Sequence, residues 1–205
     1  MEKIEVRRQL VHLSGIMLVI LAQSAGGLLA ACYAFILGAL FLVYSEWVIR
    51  TKRRMENLLE RMEAMVRKFV LKFERKEERP FMGAIWFFSA AGVTFLIFPL
   101  NIASAAVAIL AVGDSLSTMI GIRFGRHKTI GSKSAEGTLA FLFPSFAAAM
   151  FFVAPEQAFW GSMTGAVSEM LLGHPFFVKK MKGKLNDNVV IPIVAGIVMY
   201  VLGAF

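Results

Sequence analysis

A chain of 205 residues that is 58% hydrophobic, only 18% charged, and has a mean hydropathy of +0.67 is too apolar for an ordinary soluble domain. Its formal net charge of +8 suits nucleic acid or an anionic membrane face, and the placement of the charges decides between them. The single cysteine, Cys32, excludes an internal disulfide and, set in an apolar stretch, reads as a small core residue.

A helix needs about 20 apolar residues to cross roughly 30 Å of hydrocarbon. Five stretches meet or approach that length: 9–26, 28–49, 81–99, 102–122 and 189–205. Two more, 139–154 and 157–173, are shorter and interrupted by polar positions. Read as spans, these give an all-α polytopic transmembrane bundle of about seven helices within one domain, 1–205. The two short stretches also fit a re-entrant hairpin. The first run lacks a small-residue cleavage site followed by a soluble domain, so it reads as a span and not as a cleavable signal.

Between spans two and three, Met55, Leu58, Leu59, Met62, Met65, Val66, Phe69, Val70 and Phe73 recur at helical spacing, with Arg, Lys and Glu on the other face. That pattern predicts an amphipathic helix around 52–78 lying on the cytoplasmic leaflet. A solvated connecting helix fits it equally. The basic residues orient the whole chain. Lys3, Arg7 and Arg8 precede span one, and eleven lie between Arg50 and Arg79. Arg123, Arg126, Lys128 and Lys133 follow span four; Lys179, Lys180, Lys182 and Lys184 follow span six. All therefore fall on one side, and the connections near Gly26, Pro99 and Pro155 carry none. The positive-inside rule makes that side cytoplasmic, with the N-terminus inside and the C-terminus outside. The membrane thus accounts for the basic bias, and no nucleic-acid partner is expected.

Four ionisable residues, His12, Glu46, Asp114 and Glu169, interrupt the spans, each nearer the cytoplasmic end. A charge at mid-bilayer costs about 2.5–3.5 kcal/mol on insertion scales, so such groups face partners or a wet cavity. Asp114, Ser117, Thr118 and Gly121 follow i, i+3, i+4, i+7 spacing and form one helical stripe. A carboxylate beside hydroxyls suits Mg²⁺, which takes oxygen ligands and keeps several waters. The small residues on that face would let a ligand approach the backbone.

The following loop, "RFGRHKTIGSKS", supplies Arg123, Gly125, Arg126, Lys128, Gly131, Ser132, Lys133 and Ser134. Span five begins just after it, where free helix N–H groups would attract an anion. Together these features predict a metal-bound polyphosphate. The loop is not a standard P-loop: five residues separate Gly125 from Gly131, Ser132 intervenes before Lys133, and no strand precedes it. A plain basic membrane anchor is the simpler alternative. At the N-terminus, Glu5, Arg8, His12 and Gly15 share a second helical face. Asp187 and Asn188, just before Pro192, form a turn signal on the same side of the membrane.

In order, the blocks "EVRRQLVHLSG", "ERPFMGAIWFF", "GDSLSTMIGIRFGRHKTIGSKSAEGTLAFL" and "DNVVIP" resemble the CTP-dependent dolichol, polyprenol and phytol kinases. These are membrane enzymes distantly related to phosphatidate cytidylyltransferases, whose additional aspartate- and glycine-rich ending is missing here. The third block is the specific one, containing Gly113, Asp114, Gly121, Gly125, Lys133, Ser134, Glu136 and Gly137. The resemblance implies transfer of the γ-phosphate of CTP to the hydroxyl of an isoprenoid alcohol, with a lipid monophosphate and CDP as products. Asp114 would hold Mg²⁺ with Glu136 or Asp187, while Lys133 and Arg123 would hold phosphates. Glu169, Asp187 or His12 would accept or orient the hydroxyl proton. The nucleotide-binding set further comprises Gly113, Ser117, Gly125, Gly131, Ser132, Ser134, Gly137, Asn188, Glu5 and Arg8. CTP itself comes from the resemblance alone.

These features imply a multi-pass enzyme of a prokaryotic plasma membrane with its site facing the cytoplasm, and they leave an oligomer open. The alternatives are a CTP-dependent diacylglycerol kinase or cytidylyl transfer to a lipid phosphate. A small transporter is the remaining class, and no internal repeat supports it.

Overall fold

The structure, a computed structural model, describes residues 9, 12–51, 81–131, 133–174 and 186–204. The amphipathic reading of 52–78 lies outside the described residues, as do Glu5, Arg8 and Ser132. The described residues form seven helices and no strand: α1 Gly15–Ala25, α2 Gly27–Thr51, α3 Met82–Ile97, α4 Leu100–Phe124, α5 Ala135–Ala149, α6 Pro155–Leu172 and α7 Asp187–Leu202. Each of the seven apolar stretches falls on one of them.

Local chemistry sets the boundaries. Gly26, at φ +93°, ends α1 and lets the chain reverse directly into α2. Pro99 precedes α4, and Pro155 opens α6, where a missing N–H costs nothing. Ser134 caps α5 by accepting from the Gly137 N–H, and Asn186 caps α7 by accepting from the Asn188 N–H. Pro192 has no N–H, so the helical bond to the Asn188 carbonyl cannot form.

α4 is the central post. It touches α1, α3, α5, α6 and α7, whereas α2 packs chiefly on α3 and more lightly on α1. Ala103, Ala105, Ala106, Ala108 and Ala111 are buried along α4 and let neighbouring helices approach closely. Residues Ile109–Asp114 of this helix are π-helical, and α-helical geometry resumes at Ser115–Phe124. Asp114 is the last residue of this wide turn, at the junction with the α-helical second half of α4. Nothing in the run "ILAVGD" announces this turn.

By length and composition, Gly27–Trp47 and Leu100–Phe124 are the described helices long and apolar enough to cross a membrane; α1, α3, α5 and α7 are apolar but shorter. The α2 face turned away from the protein exposes Leu28, Leu29, Tyr33, Ile36, Leu40 and Val43. Cys32 is exposed among them, not a core residue as its apolar setting suggested. Hydropathy locates an apolar helix, and only the packing decides which side is inward.

Candidate functional site

Of the ionisable residues that interrupt the helices, His12, Asp114 and Glu169 meet at one end of the bundle, and among the described contacts none joins Glu46 of α2 to them. Asp114, Ser117, Glu169, His12 and Asn188 are all buried. On the α4 stripe, Ser117 Oγ donates to Glu169 Oε1 of α6 at 2.7 Å. The same oxygen accepts from Lys133 Nζ, which reaches in from the loop between α4 and α5. From the residues ahead of α1, His12 places Nε2 3.0 Å from Asn188 Oδ1 and 3.8 Å from Asp114 Oδ2. The Phe87 ring, 4.8 Å away between centroids, backs that imidazole. One hydrogen-bonded patch therefore joins the loop with α4 and α6, and a second joins α4, α7 and the start of the chain.

The charge of Lys133 follows from this setting. Burial opposes the ammonium. Glu169, by charge and by hydrogen bond, together with the charges of Asp114 and Asp187, outweighs burial and raises its pKa above the usual lysine value. One ammonium feels three carboxylates, so the patch around Lys133 is acidic, within an end of the bundle that also carries the exposed basic loop. Gly173, just past α6, makes the reach of Lys133 possible: a Cβ there would lie 2.9 Å from Lys133 Cγ. The sequence reading missed this glycine, which its position after a helix end could have signalled.

Glu136 serves the loop. Its carboxylate accepts from His127 Nδ1 at 2.6 Å and from the backbone N–H groups of Arg126 and His127 at 3.2–3.3 Å. Bonds from its own backbone N–H and from the His127 ring lead the effects that outweigh desolvation, and the carboxyl pKa falls to about 2. His127, which the sequence reading did not single out, thus fixes the loop from its exposed side. The first donors of α5 are also engaged: Ala135 N–H with the His127 carbonyl, Gly137 N–H with Ser134 Oγ, and Thr138 N–H with the Ser134 carbonyl. The expectation of open N–H groups for an anion at this helix start is corrected, because the loop closes back onto them.

The expected glycines divide in the same way. Gly131, at φ +63°, makes the loop's turn. A Cβ on Gly113 would lie 2.7 Å from the Phe141 ring, and one on Gly137 would lie 3.1 Å from the Ser117 carbonyl and 3.4 Å from Gly121 Cα. On Gly125 it would lie 2.6 Å from Ser134 Oγ. Gly113, Gly121 and Gly137 bring α5 onto α4; the backbone approaching the small-residue face is a helix, not a ligand. Arg123 is exposed and lies 5.5 Å from the centroid of Phe124, also exposed, rather than entering the acidic patch.

Magnesium typically keeps one or two protein carboxylates, several waters and substrate phosphates. Among the described residues, no three His, Cys, Asp or Glu side chains converge to hold a metal unaided. Asp114 and Asp187, whose charges act on Lys133, are carboxylates of the expected metal set that the loop leaves open, whereas Glu136 is occupied by it.

The sequence is partly similar to a dolichol kinase. That of Saccharomyces cerevisiae is 34% identical over 84 residues, 40% of this chain and 16% of the yeast protein. An uncharacterised protein of Methanocaldococcus jannaschii is 28% identical over 126 residues, 61% of each chain. This chain therefore spans less than two thirds of either relative. No family model matches it, and no solved structure matches it.

Proposed function

We propose that the chain is a multi-pass membrane lipid kinase that transfers the γ-phosphate of CTP to an isoprenoid alcohol of the dolichol or polyprenol type. The observation that carries this reading is the Lys133 ammonium held by Glu169 with Asp114 and Asp187 near. Partial similarity to dolichol kinase supplies the reaction class. Phosphoryl transfer asks a protein mainly to position the reactants and offset phosphate charge. A lysine and divalent-cation ligands at a helix-bundle end, below an apolar surface open to lipid, meet both demands.

In this reading Asp114, with Asp187, would hold Mg²⁺, which would supply neutralisation of phosphate charge. Lys133 moves from Glu169 onto the phosphates, so the loop must shift as the nucleotide enters. The alcohol oxygen forms a bond to the γ-phosphorus, the bond to the β-bridging oxygen breaks, and CDP departs. The hydroxyl proton passes to a nearby carboxylate, for which Glu169, released from Lys133, is the favoured acceptor. Asp187 and Asn188 flank the opposite side, with His12 orienting Asn188. The site faces the cytoplasm, and the basic loops fix that orientation in the membrane, which in a prokaryote is the plasma membrane.

The test is product analysis on purified protein given CTP labelled at the γ-position, Mg²⁺ and a polyprenol. Labelled polyprenyl phosphate with CDP is the expected result. Pyrophosphate with a CDP-lipid, formed from a lipid phosphate, would replace this reading with cytidylyl transfer.

A further inference from the structure

We propose that Ser117 is the positioning residue for Glu169: its hydroxyl keeps that carboxylate in place when Lys133 leaves it for a phosphate. The departure of Lys133 rests on the lipid-kinase reading above; the hold on Glu169 does not.

Glu169 is 2% exposed and Ser117 3%, so both lie beneath the protein surface. Glu169 Oε1 accepts from two donors, Ser117 Oγ at 2.7 Å and Lys133 Nζ. The two donors are mounted differently. Lys133 extends from the loop between α4 and α5, and its side chain is 28% exposed. Ser117 stands on the α-helical second half of α4, Ser115–Phe124. Its backbone is packed on α5, where a Cβ on Gly137 would lie 3.1 Å from the Ser117 carbonyl. A loop can withdraw its lysine while a serine on a packed helix stays where it is.

A buried carboxylate that loses its ammonium is left as an uncompensated charge, and that is strongly destabilising. A hydroxyl bonded to a carboxylate makes a charge-assisted hydrogen bond, stronger than one to a neutral carbonyl. The Ser117 hydroxyl has one proton and a second acceptor within reach, the Asp114 carbonyl at 3.2 Å. The shorter contact is the one to Glu169, 52 residues away in the chain. A serine serving its own helix bonds back to the preceding turn, as Ser145 does to the Leu142 carbonyl at 3.2 Å. The Ser117 proton is therefore committed inside the protein and is not offered to an incoming phosphate. Ser117 was expected in the nucleotide-binding set; this geometry has it act through Glu169 instead. Glu169 is the proton acceptor in the lipid-kinase reading, so its placement enters kcat.

The experiment is a double-mutant cycle in unfolding temperature on the full chain in phospholipid nanodiscs. Lys133→Met removes the ammonium and keeps the stem that passes Gly173. Ser117→Ala should then lower the unfolding temperature by about 3 °C more in the Lys133→Met background than in wild type. Equal losses in the two backgrounds would overturn the proposal. Ser145→Ala is the control and should cost the same in both; an equal extra loss there would also overturn it. Should the double variant fail to fold, Glu169→Met gives the reverse reading. With the acceptor gone, Ser117→Ala should cost less than in wild type, and an undiminished loss would overturn the proposal. In turnover with CTP and a polyprenol, Ser117→Ala should lower kcat about tenfold and leave the KM for CTP unchanged. A raised KM with unchanged kcat would put Ser117 on the nucleotide and overturn its positioning role. No phosphate transfer by the wild type would sink the kinase reading, while the unfolding cycle still decides the hold on Glu169. Equal losses in the cycle with normal transfer would sink the hold and leave the reading.

Discussion

α2 and α4 both have the length and hydropathy of a membrane-crossing helix, yet they do opposite things. Of the most apolar window in each, 22% is buried in α2 and 61% in α4. α2 turns large apolar side chains outward and packs chiefly on α3 and more lightly on α1. α4 is surrounded, and this permits it to carry Asp114 and Ser117. A carboxylate on the outer face of α2 would have only lipid around it; on α4 it has His12 and the charge of Lys133. Apolar length identifies candidates for crossing a membrane, while encirclement identifies the helix that can carry chemistry.

The comparison breaks most directly at α4. Asp114→Asn and Lys133→Ala are each expected to lower kcat by about 10²–10³-fold, the usual scale for removing a preorganised charge partner. Expression and the circular-dichroism helix signal should stay near wild type. Near-normal phosphate transfer in either variant would detach the acidic patch from function. Gly113→Ala probes the enclosure itself. The added methyl must displace the buried Phe141 ring, and overpacking of this kind costs about 1–3 kcal/mol, read as a lower unfolding temperature.

The loop gives a pH test. The Glu136 carboxyl is lowered from 4.5 to about 2, so its contribution is complete above pH 4.5 and is lost as pH falls through about 2. The difference in thermal stability between wild type and Glu136→Gln should be largest near neutrality and shrink across that window. Lys133 has the opposite sign. Its raised pKa keeps the ion pair at neutral pH and loses it only as the solution becomes more basic than the usual lysine value.

The smallest effects belong to α2. Val43→Ala should change stability by no more than about 0.5 kcal/mol in thermal or denaturant unfolding. Cys32 offers a direct reading of that face, because a polar reagent confined to water does not reach a thiol that faces hydrocarbon. In vesicles it should react slowly with a membrane-impermeant maleimide and readily after denaturation. Rapid labelling in intact vesicles would place the α2 face in water and collapse the contrast with α4.

The helical class, the seven apolar segments and the Asp114 stripe were legible because hydropathy and the 3.6-residue period are local properties of the chain. The grouping of His12, Asp114, Lys133, Glu169 and Asp187 was legible only as a common sidedness, imposed by the alternating basic connections. Tertiary structure decided which of these groups touch. It spent Glu136 and the α5 N–H groups on the loop, turned Gly113, Gly121 and Gly137 to helix packing, and let Gly173 admit the Lys133 stem. It also turned Cys32 outward and inserted the π-helical turn before Asp114. Those outcomes depend on contacts between residues far apart in the chain, and short-range periodicity carries no information about such distances.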